Sequence, residues 1–546
     1  MVKSLLSLLA MRQNSILSGA FVLMVTVLLS RFLGLIRNRL LVHNFDTTQT
    51  DIFFGAFKLP DLLFQLLIFG TLSVAFIPTF TEYLNKKGEK DAFDFASKIL
   101  NLSLLLFTVL AVLCFIFVDQ IHSVILPGFV GERKELANQL TRVVLFSEIL
   151  FVVGSFFIGI ANSFQRFLVS ALAPLFYNLG LILGIAVLSP HWGLFGPAVG
   201  AIIGAALHVL VQIPVIYSLG YRYTFSFDIF NSGVKQIFKL MSVRNIGLMA
   251  EQINDVVGIA LASLVSYSSI TLLTFAQQLQ AVPIGLFGAT IAQAALPVLS
   301  KETAKQEKEL FRFTLLTTMH QILFLTLPAA AILIVLRIPV VRLVFGASQF
   351  DWSDTVLTGR TLAMFSFGLV AQSIVLLLVR GFYALKDVRT PVIVSISSVL
   401  INVVFSYLFV RVFHMDVWSL GLAYAIAMNF SMLALLYFLD RESGGFSKSA
   451  LIRPALKMLF AATVAAIALY LPIKSLDQLV FDTTKTVNLI ILTGIAASFG
   501  LSVYLLMVYL LKVKELMTFI ELLKKVGNFQ KKMRSHEIPT DTHPLS

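Results

Sequence analysis

Cysteine is all but missing. Cys114 is the only one in 546 residues, which excludes a disulfide framework and any cysteine-rich metal site. Charge is scarce too: Asp, Glu, Lys and Arg make up 13% of the chain, against about 25% in an ordinary soluble domain. A catalytic pocket in a water-soluble fold is therefore the first class to fall. No HExxH, GxSxG, P-loop Gly-Lys-Ser/Thr or Cys/His metal spacing occurs, so the chain is read as a non-enzyme with no bound cofactor. Tryptophan is limited to Trp192, Trp352 and Trp418.

What is present is apolar length. Hydrophobic residues make up 58% of the chain and the mean hydropathy is +0.89, values that only a bilayer accommodates. Apolar stretches of about 20 residues or more fall at 16–43, 51–84, 92–118, 135–163, 167–188, 193–217, 243–265, 268–299, 311–336, 354–383, 391–411, 417–439, 454–473 and 487–511. The fold class is thus an all-α polytopic membrane protein of about fourteen spans. The N-terminal stretch MVKSLLSLLAMRQNS is basic and briefly apolar, without a small-residue cleavage site, and is read as a retained interfacial segment.

The net charge of +13 does not point to nucleic acid. The basic residues sit in short connections and not in a patch interleaved with base-stacking aromatics. The N-terminus, the even-numbered connections and the C-terminal tail hold most of the Lys and Arg, which places both termini in the cytoplasm. All three tryptophans fall in the opposite connections, where an interfacial aromatic belt belongs.

An internal echo follows the same topology. AFIPTFTEYLNKKGEKDAF from Ala75 resembles ALPVLSKETAKQEKELF from Ala295, with Pro78 and Pro297 six spans apart. An even separation preserves orientation, so the chain is expected to hold two six-helix lobes related by a pseudo-two-fold, plus two C-terminal helices. The divisions are 1–217, a cytoplasmic amphipathic linker over 218–242, 243–439, a helix pair over 440–512 and a basic tail over 513–546.

Ionisable residues at bilayer depth are costly and mark function. The first span carries Arg31, Arg37 and Arg39 in SRFLGLIRNRLL. Arg31 lies about 20 Å along the helix, too deep for easy snorkelling, whereas Arg37 and Arg39 lie nearer the outer end and can reach an interface. A guanidinium fork in a wet cavity suits phosphate, to which it donates two parallel hydrogen bonds. Asp51 is expected to pair with Arg37 or Arg39, and Lys58 either points into the cavity or snorkels. In the seventh span, Glu251 and Asp255 share a helix face in AEQINDVVGIA. They suit a cation or proton site, counter-ions for the arginines, or a polar network joining helices. Asn402, with Ser406 one turn on, offers further oxygens for an ion. The eighth span adds the neutral donors Gln277, Gln278 and Gln280. Glu148, Arg360 and Asn429 are read as single polar residues that glue helices together.

SRFLGLIRNRLL, then TDIFFGAFKLPDLL, then AFIPTFTEY resembles the opening of the MurJ/MviN lipid flippases, in the multidrug/oligosaccharidyl-lipid/polysaccharide exporter superfamily. The likeness continues in GIANSFQRFLVSALAPLFYNLG, VPIGLFGATIAQAALPVLS and RGFYALKDVRTPV, across about residues 15–440. It implies a flippase for the undecaprenyl-pyrophosphate-linked peptidoglycan precursor, working in a bacterial inner membrane. The implied headgroup cavity lies between two lobes and is cationic, and the last two helices form a groove for the lipid tail. The implied headgroup ligands are Arg31, Arg37 and Asp51, with Arg39, Lys58 and Gln278 beside them. Implied partners are the precursor, membrane lipids and the cell-wall synthesis machinery. The chain departs from the family pattern where an arginine becomes Phe64, another becomes Gln278, and a sodium-binding Asp of some members becomes Gly258. Sodium and proton coupling, at Asp255, Glu251 and Asn402, both stay open. The rival readings are a flippase for another lipid-linked oligosaccharide, a multidrug exporter of the same superfamily, a non-transporting membrane scaffold, and an integral-membrane glycosyltransferase or ligase.

Overall fold

A computed structural model describes residues 16–69, 76–228, 251–479, 485–517 and 519–521. Among these residues the chain is all helix and turn, with no β-strand, and eleven helices are long and apolar enough to cross a membrane. The other three expected spans coincide with helix α1 (Ile16–Asn44), with α2 (Thr47–Phe64) continuing into α3 (Ile77–Lys87), and with the stretch ending at 263. The second and third of these run partly through 70–75 and 243–250, outside the described residues. The interfacial segment 1–15, most of the linker and the tail beyond 521 also lie outside them.

Local chemistry sets the breaks between helices. Asp46 caps α2 by accepting from the backbone N–H of Gln49 at 2.7 Å, satisfying a donor that the helix start leaves over. Within α2, Pro60 has no N–H to donate, and one turn later Gln65–Phe69 relaxes into wider π turns. Ile284–Ala289 does the same directly after Pro283. Both are places where the regular hydrogen-bond ladder is interrupted.

By packing, the chain falls into two compact units. The first comprises Met1–Ala276, Val341–Thr361 and Ser395–Tyr424. Its helices include α4 (Glu89–Ile116), the short α5 (Val118–Ile125), α6 (Gly131–Ser163), α7 (Phe167–Trp192), α8 (Phe195–Ser218) and α9 (251–263). Lipid-facing helices gain nothing from apolar burial against each other, so close backbone approach does the work. A Cβ added at Gly180 would meet Gly204 backbone at 2.2 Å, one at Gly184 would meet Gly200 Cα at 2.6 Å, and one at Gly196 would meet Ser189 N at 2.5 Å. Gly204→Val should therefore push α7 and α8 apart at a cost of about 1–3 kcal/mol. A lowered melting temperature of the purified protein would show this, and an unchanged one would refute the close contact.

After α8, residues 221–228 have no regular secondary structure and bond to α4. Tyr221 Oη and Ser97 Oγ lie 3.0 Å apart, and Asn101 Nδ2 donates to the carbonyls of Thr224 and Ser226 at 3.1 and 3.0 Å. The first part of the expected linker is thus a strap docked on α4.

The second unit comprises Gln277–Val340, Leu362–Val394 and Ala425–Ser546. Its core joins Phe311, Leu315 and Ile322 of α10 (Lys308–Val335) to Met458 of α11 (Lys448–Leu479) and Tyr504 of α12 (Thr486–Leu510). Tyr504 donates its buried hydroxyl to the Phe324 carbonyl at 2.9 Å. The chain then turns back so that Val513 and Leu516 are buried in the same core.

The connection between α4 and α6 is a titratable knot outside the spans. Asn138 Nδ2 donates to Asp119 Oδ1 at 3.0 Å, which leaves Asn138 Oδ1 to accept from His122 Nδ1 at 2.7 Å. That pattern requires a proton on His122 Nδ1. Burial pushes the His122 pKa down to about 4, while hydrogen bonds from Lys134 and Asn138 hold the Asp119 carboxyl below its usual range. A depressed histidine binds fewer protons folded than unfolded, so stability falls as pH drops from about 6.5 towards 4. Thermal melting against pH should show that loss, at most about 1.4 kcal/mol per pH unit, and His122→Gln should remove this component of it.

Candidate functional site

The candidate site residues singled out in the sequence, Gln278 aside, lie in the first unit, where they sort into distinct arrangements. Arg31 is exposed. Arg37 is half-buried, its Nε donating to Asn38 Oδ1 at 3.0 Å and its Nη1 to Asn178 Oδ1 at 3.2 Å. Asn178 is itself held by α7, donating to the Pro174 carbonyl at 3.1 Å and to Ser30 Oγ at 3.3 Å. No carboxylate lies within ion-pair distance of Arg37 among the described residues. Its guanidinium is thus oriented by neutral amides, and the Asp61 carboxylate reaches it through space without an ion pair.

Two expected partners are corrected. Asp51 pairs neither with Arg37 nor with Arg39 but with Arg133 of α6, and accepts the backbone N–H of Thr271 at 2.7 Å. It is fully buried. The Arg133 guanidinium stacks 3.8 Å from the Phe129 ring centroid and donates to the Tyr267 carbonyl at 3.0 Å. Asp51 is therefore a structural counter-ion, because burial leaves no oxygen for a ligand. Arg39, the second correction, donates to the Leu343 carbonyl. Beside it, Thr47 Oγ1 donates to Asp354 Oδ2 at 2.7 Å.

Lys58 resolves its two options by pairing with Asp255. Asp255 thus neutralises Lys58, not the first-span arginines, and ties α9 to α2. A second tie runs from Gln252 Nε2 to Gln65 Oε1 at 2.6 Å. On the other side of α9, Asn402 Nδ2 donates to Asn254 Oδ1 at 2.7 Å, and Ser406 Oγ to Asn402 Oδ1 at 3.4 Å. Glu251 is exposed. Gly258 has open space around its missing Cβ, so packing does not dictate glycine there. Among the described residues no group of three or more His, Cys, Asp or Glu could hold a metal ion. Gln278 belongs to the second unit and is half-buried. Two residues on, Gln280 Nε2 donates to the Phe365 carbonyl at 2.9 Å.

Sequence reasoning missed Arg133, Asp61 and the orienting role of Asn178. Arg133 sits in a charged connection, GERKE, where solvation is the ordinary fate of a basic side chain. Asp61 was legible as the odd residue of LPDLLFQ, a carboxylate inside an apolar span. It lies within electrostatic reach of Lys58, Asp255 and Arg37.

A family model described as "Lipid II flippase MurJ" matches residues 44–491. The chain belongs to the MurJ family. Among MurJ relatives, a probable lipid II flippase MurJ of Buchnera aphidicola subsp. Baizongia pistaciae is 27% identical over 464 residues, covering 84% of this chain and 90% of that protein. The corresponding protein of Rhizobium meliloti is 30% identical over 400 residues, covering 68% and 71%. Among solved structures, lipid II flippase MurJ in an inward closed conformation superposes with a TM-score of 0.75 at 24% identity, covering 90% of this chain and 98% of that one. An inward-facing MATE family multidrug transporter gives 0.67 at 15% identity. At these identities the two superpositions speak to fold alone.

Proposed function

We propose that this MurJ family member is a lipid II flippase, carrying the undecaprenyl-pyrophosphate-linked peptidoglycan precursor from the inner to the outer leaflet of a bacterial cytoplasmic membrane. Arg37 carries the reading. Its guanidinium is fixed by Asn38 and Asn178 and makes no ion pair among the described residues, which suits an oxyanion and not a cationic drug. Exposed Arg31, six residues earlier on α1 and about 120° round the helix, adds a second cation to the same element.

The polar head crosses by alternating access while the lipid tail stays in the bilayer. Fourteen helices in two six-helix lobes, with the last two helices forming the tail groove, are the architecture this requires. Both termini lie in the cytoplasm, a placement supported by the distribution of Lys and Arg. The cell-wall synthesis machinery is the consumer of the flipped product. Asp255, Glu251 and Asn402 are the candidates for sodium or proton coupling.

The test is reconstitution of the full chain in liposomes with a fluorescent lipid-linked pyrophosphate disaccharide-pentapeptide, reading how fast its headgroup becomes accessible from the other side. Acceleration over empty liposomes, with rescue of a flippase-depleted strain, is the expected result. No acceleration and no rescue would dismiss the reading.

A further inference from the structure

The first unit holds a second carboxylate arrangement, formed by Asp61 and Glu148. Helices α2 and α6 run side by side in the same direction. Thr141 Oγ1 donates to the Ala56 carbonyl at 2.8 Å, and further along both helices the Phe64 and Phe151 rings lie 5.8 Å apart. Asp61 and Glu148 each stand three residues before that ring pair, one helical turn back. The register therefore sets the two carboxylates at the same level of neighbouring helices, and the charge of Asp61 reaches Glu148.

Their surroundings differ sharply. Asp61 is exposed, whereas Glu148 is only 4% exposed and makes no ion pair or hydrogen bond among the described residues. The ionisable groups of the packed elements can be counted. Helix α2 supplies Lys58, which Asp255 of α9 already occupies, and Glu251 of α9 is exposed. Helix α1 supplies Arg37, whose charge reaches Asp61. Helix α7 supplies Tyr177, its ring 4.7 Å from Phe151, and α8 supplies His208, its ring 5.1 Å from Phe151. Lys98 of α4 is paired with Asp94, and Asp119 of α5 with Lys134, leaving His122 bonded to Asn138. Glu82 and Lys86 of α3 pair with each other in solvent. Helix α1 also carries exposed Arg31, and Arg39, which donates to the Leu343 carbonyl, while α6 carries Arg133, paired with Asp51, and Arg142, which donates to the Phe115 carbonyl; no ion pair reaches Glu148 among the described residues.

We propose that Asp61 and Glu148 form a proton-binding pair, with Glu148 the buried proton holder and Asp61 its exposed route to water. A buried carboxylate without a counter-ion or donor is far costlier than its neutral form, so Glu148 carries a proton while Asp61 stays charged beside Arg37. An anion that engages Arg37 removes the cation compensating Asp61, and the pair then favours a second proton. Anion binding and proton binding are linked, and the linkage is reciprocal.

The site stands on the two carboxylates; its link to transport rests on the flippase reading. Infrared difference spectroscopy of the purified full chain across pH reads the first directly. A protonated-carboxyl band should titrate in the wild type, be lost in Glu148→Gln, and change its midpoint in Asp61→Asn. Glu148→Gln is isosteric with the protonated acid and should melt like the wild type. Persistence of the band unchanged in Glu148→Gln, or its absence from the wild type, would overturn the proposal. In liposomes the wild-type flipping rate should vary several-fold with pH and that of Asp61→Asn should be flat. Equal pH dependence in both would overturn the linkage. A titrating band in a wild type that flips nothing supports the proton site and removes the flippase reading instead.

Discussion

Asp51→Ala should lose the fold before it loses any transport step. The carboxylate is fully buried against Arg133 and the backbone of Thr271, and removing one partner of such a pair strands the other charge. The expected cost is about 3–5 kcal/mol, enough to deplete the protein from the membrane. The reverse experiment separates structure from function. Asp51→Ala with Arg133→Met removes both charges together, and should recover most of the lost abundance and melting temperature. If the double variant also transports, Asp51 makes no essential contact with substrate. If Asp51→Ala alone is abundant and well folded but inactive, the structural role assigned to Asp51 is wrong.

Arg37→Ala should behave in the opposite way, with normal abundance and a flipping rate down about 10- to 100-fold. Hydrogen bonds to a charged group are worth about 1.5–3 kcal/mol each, and each 1.36 kcal/mol is a factor of about ten in rate. Arg37→Lys keeps the charge but loses the planar fork, and should recover only part of the rate. Asn178→Ala leaves the guanidinium in place without its positioning amide, so it should weaken transport less than Arg37→Ala. Full activity of Arg37→Ala in reconstituted liposomes would remove the oxyanion receptor from the mechanism.

The fold class was legible because the bilayer imposes one rule that sequence obeys openly: spans must be long, apolar and helical. Arg31, Arg37, Lys58, Asp255 and Asn402 were legible for the converse reason, since a polar residue in such a span is conspicuous. Partnerships were not. Asp51 and Arg39 stand in neighbouring spans, yet Arg133, 82 residues further on, takes the carboxylate. Sequence distance says nothing about which long side chain reaches a buried oxygen first. Asp61 was passed over because its motif was read for the arginine missing at Phe64 and not for the carboxylate present. Glu148 was taken as glue, but a gluing residue has a bond to show, and Glu148 has none among the described residues.

The glycine contacts between α7 and α8 have a mechanical meaning. Where side chains interleave, two helices can slip and repack through other rotamers. Where backbone meets backbone, a slip of one residue drives Val199, Ala201, Ile203 or Ala205 into the opposing main chain, and no rotamer relieves it. Five glycines, Gly180, Gly184, Gly196, Gly200 and Gly204, mesh in this way, like the teeth of a clutch that has engaged. Whatever rearranges during a transport cycle, these two helices travel as one strut, and Asn178, riding on α7, delivers that displacement straight to the guanidinium of Arg37.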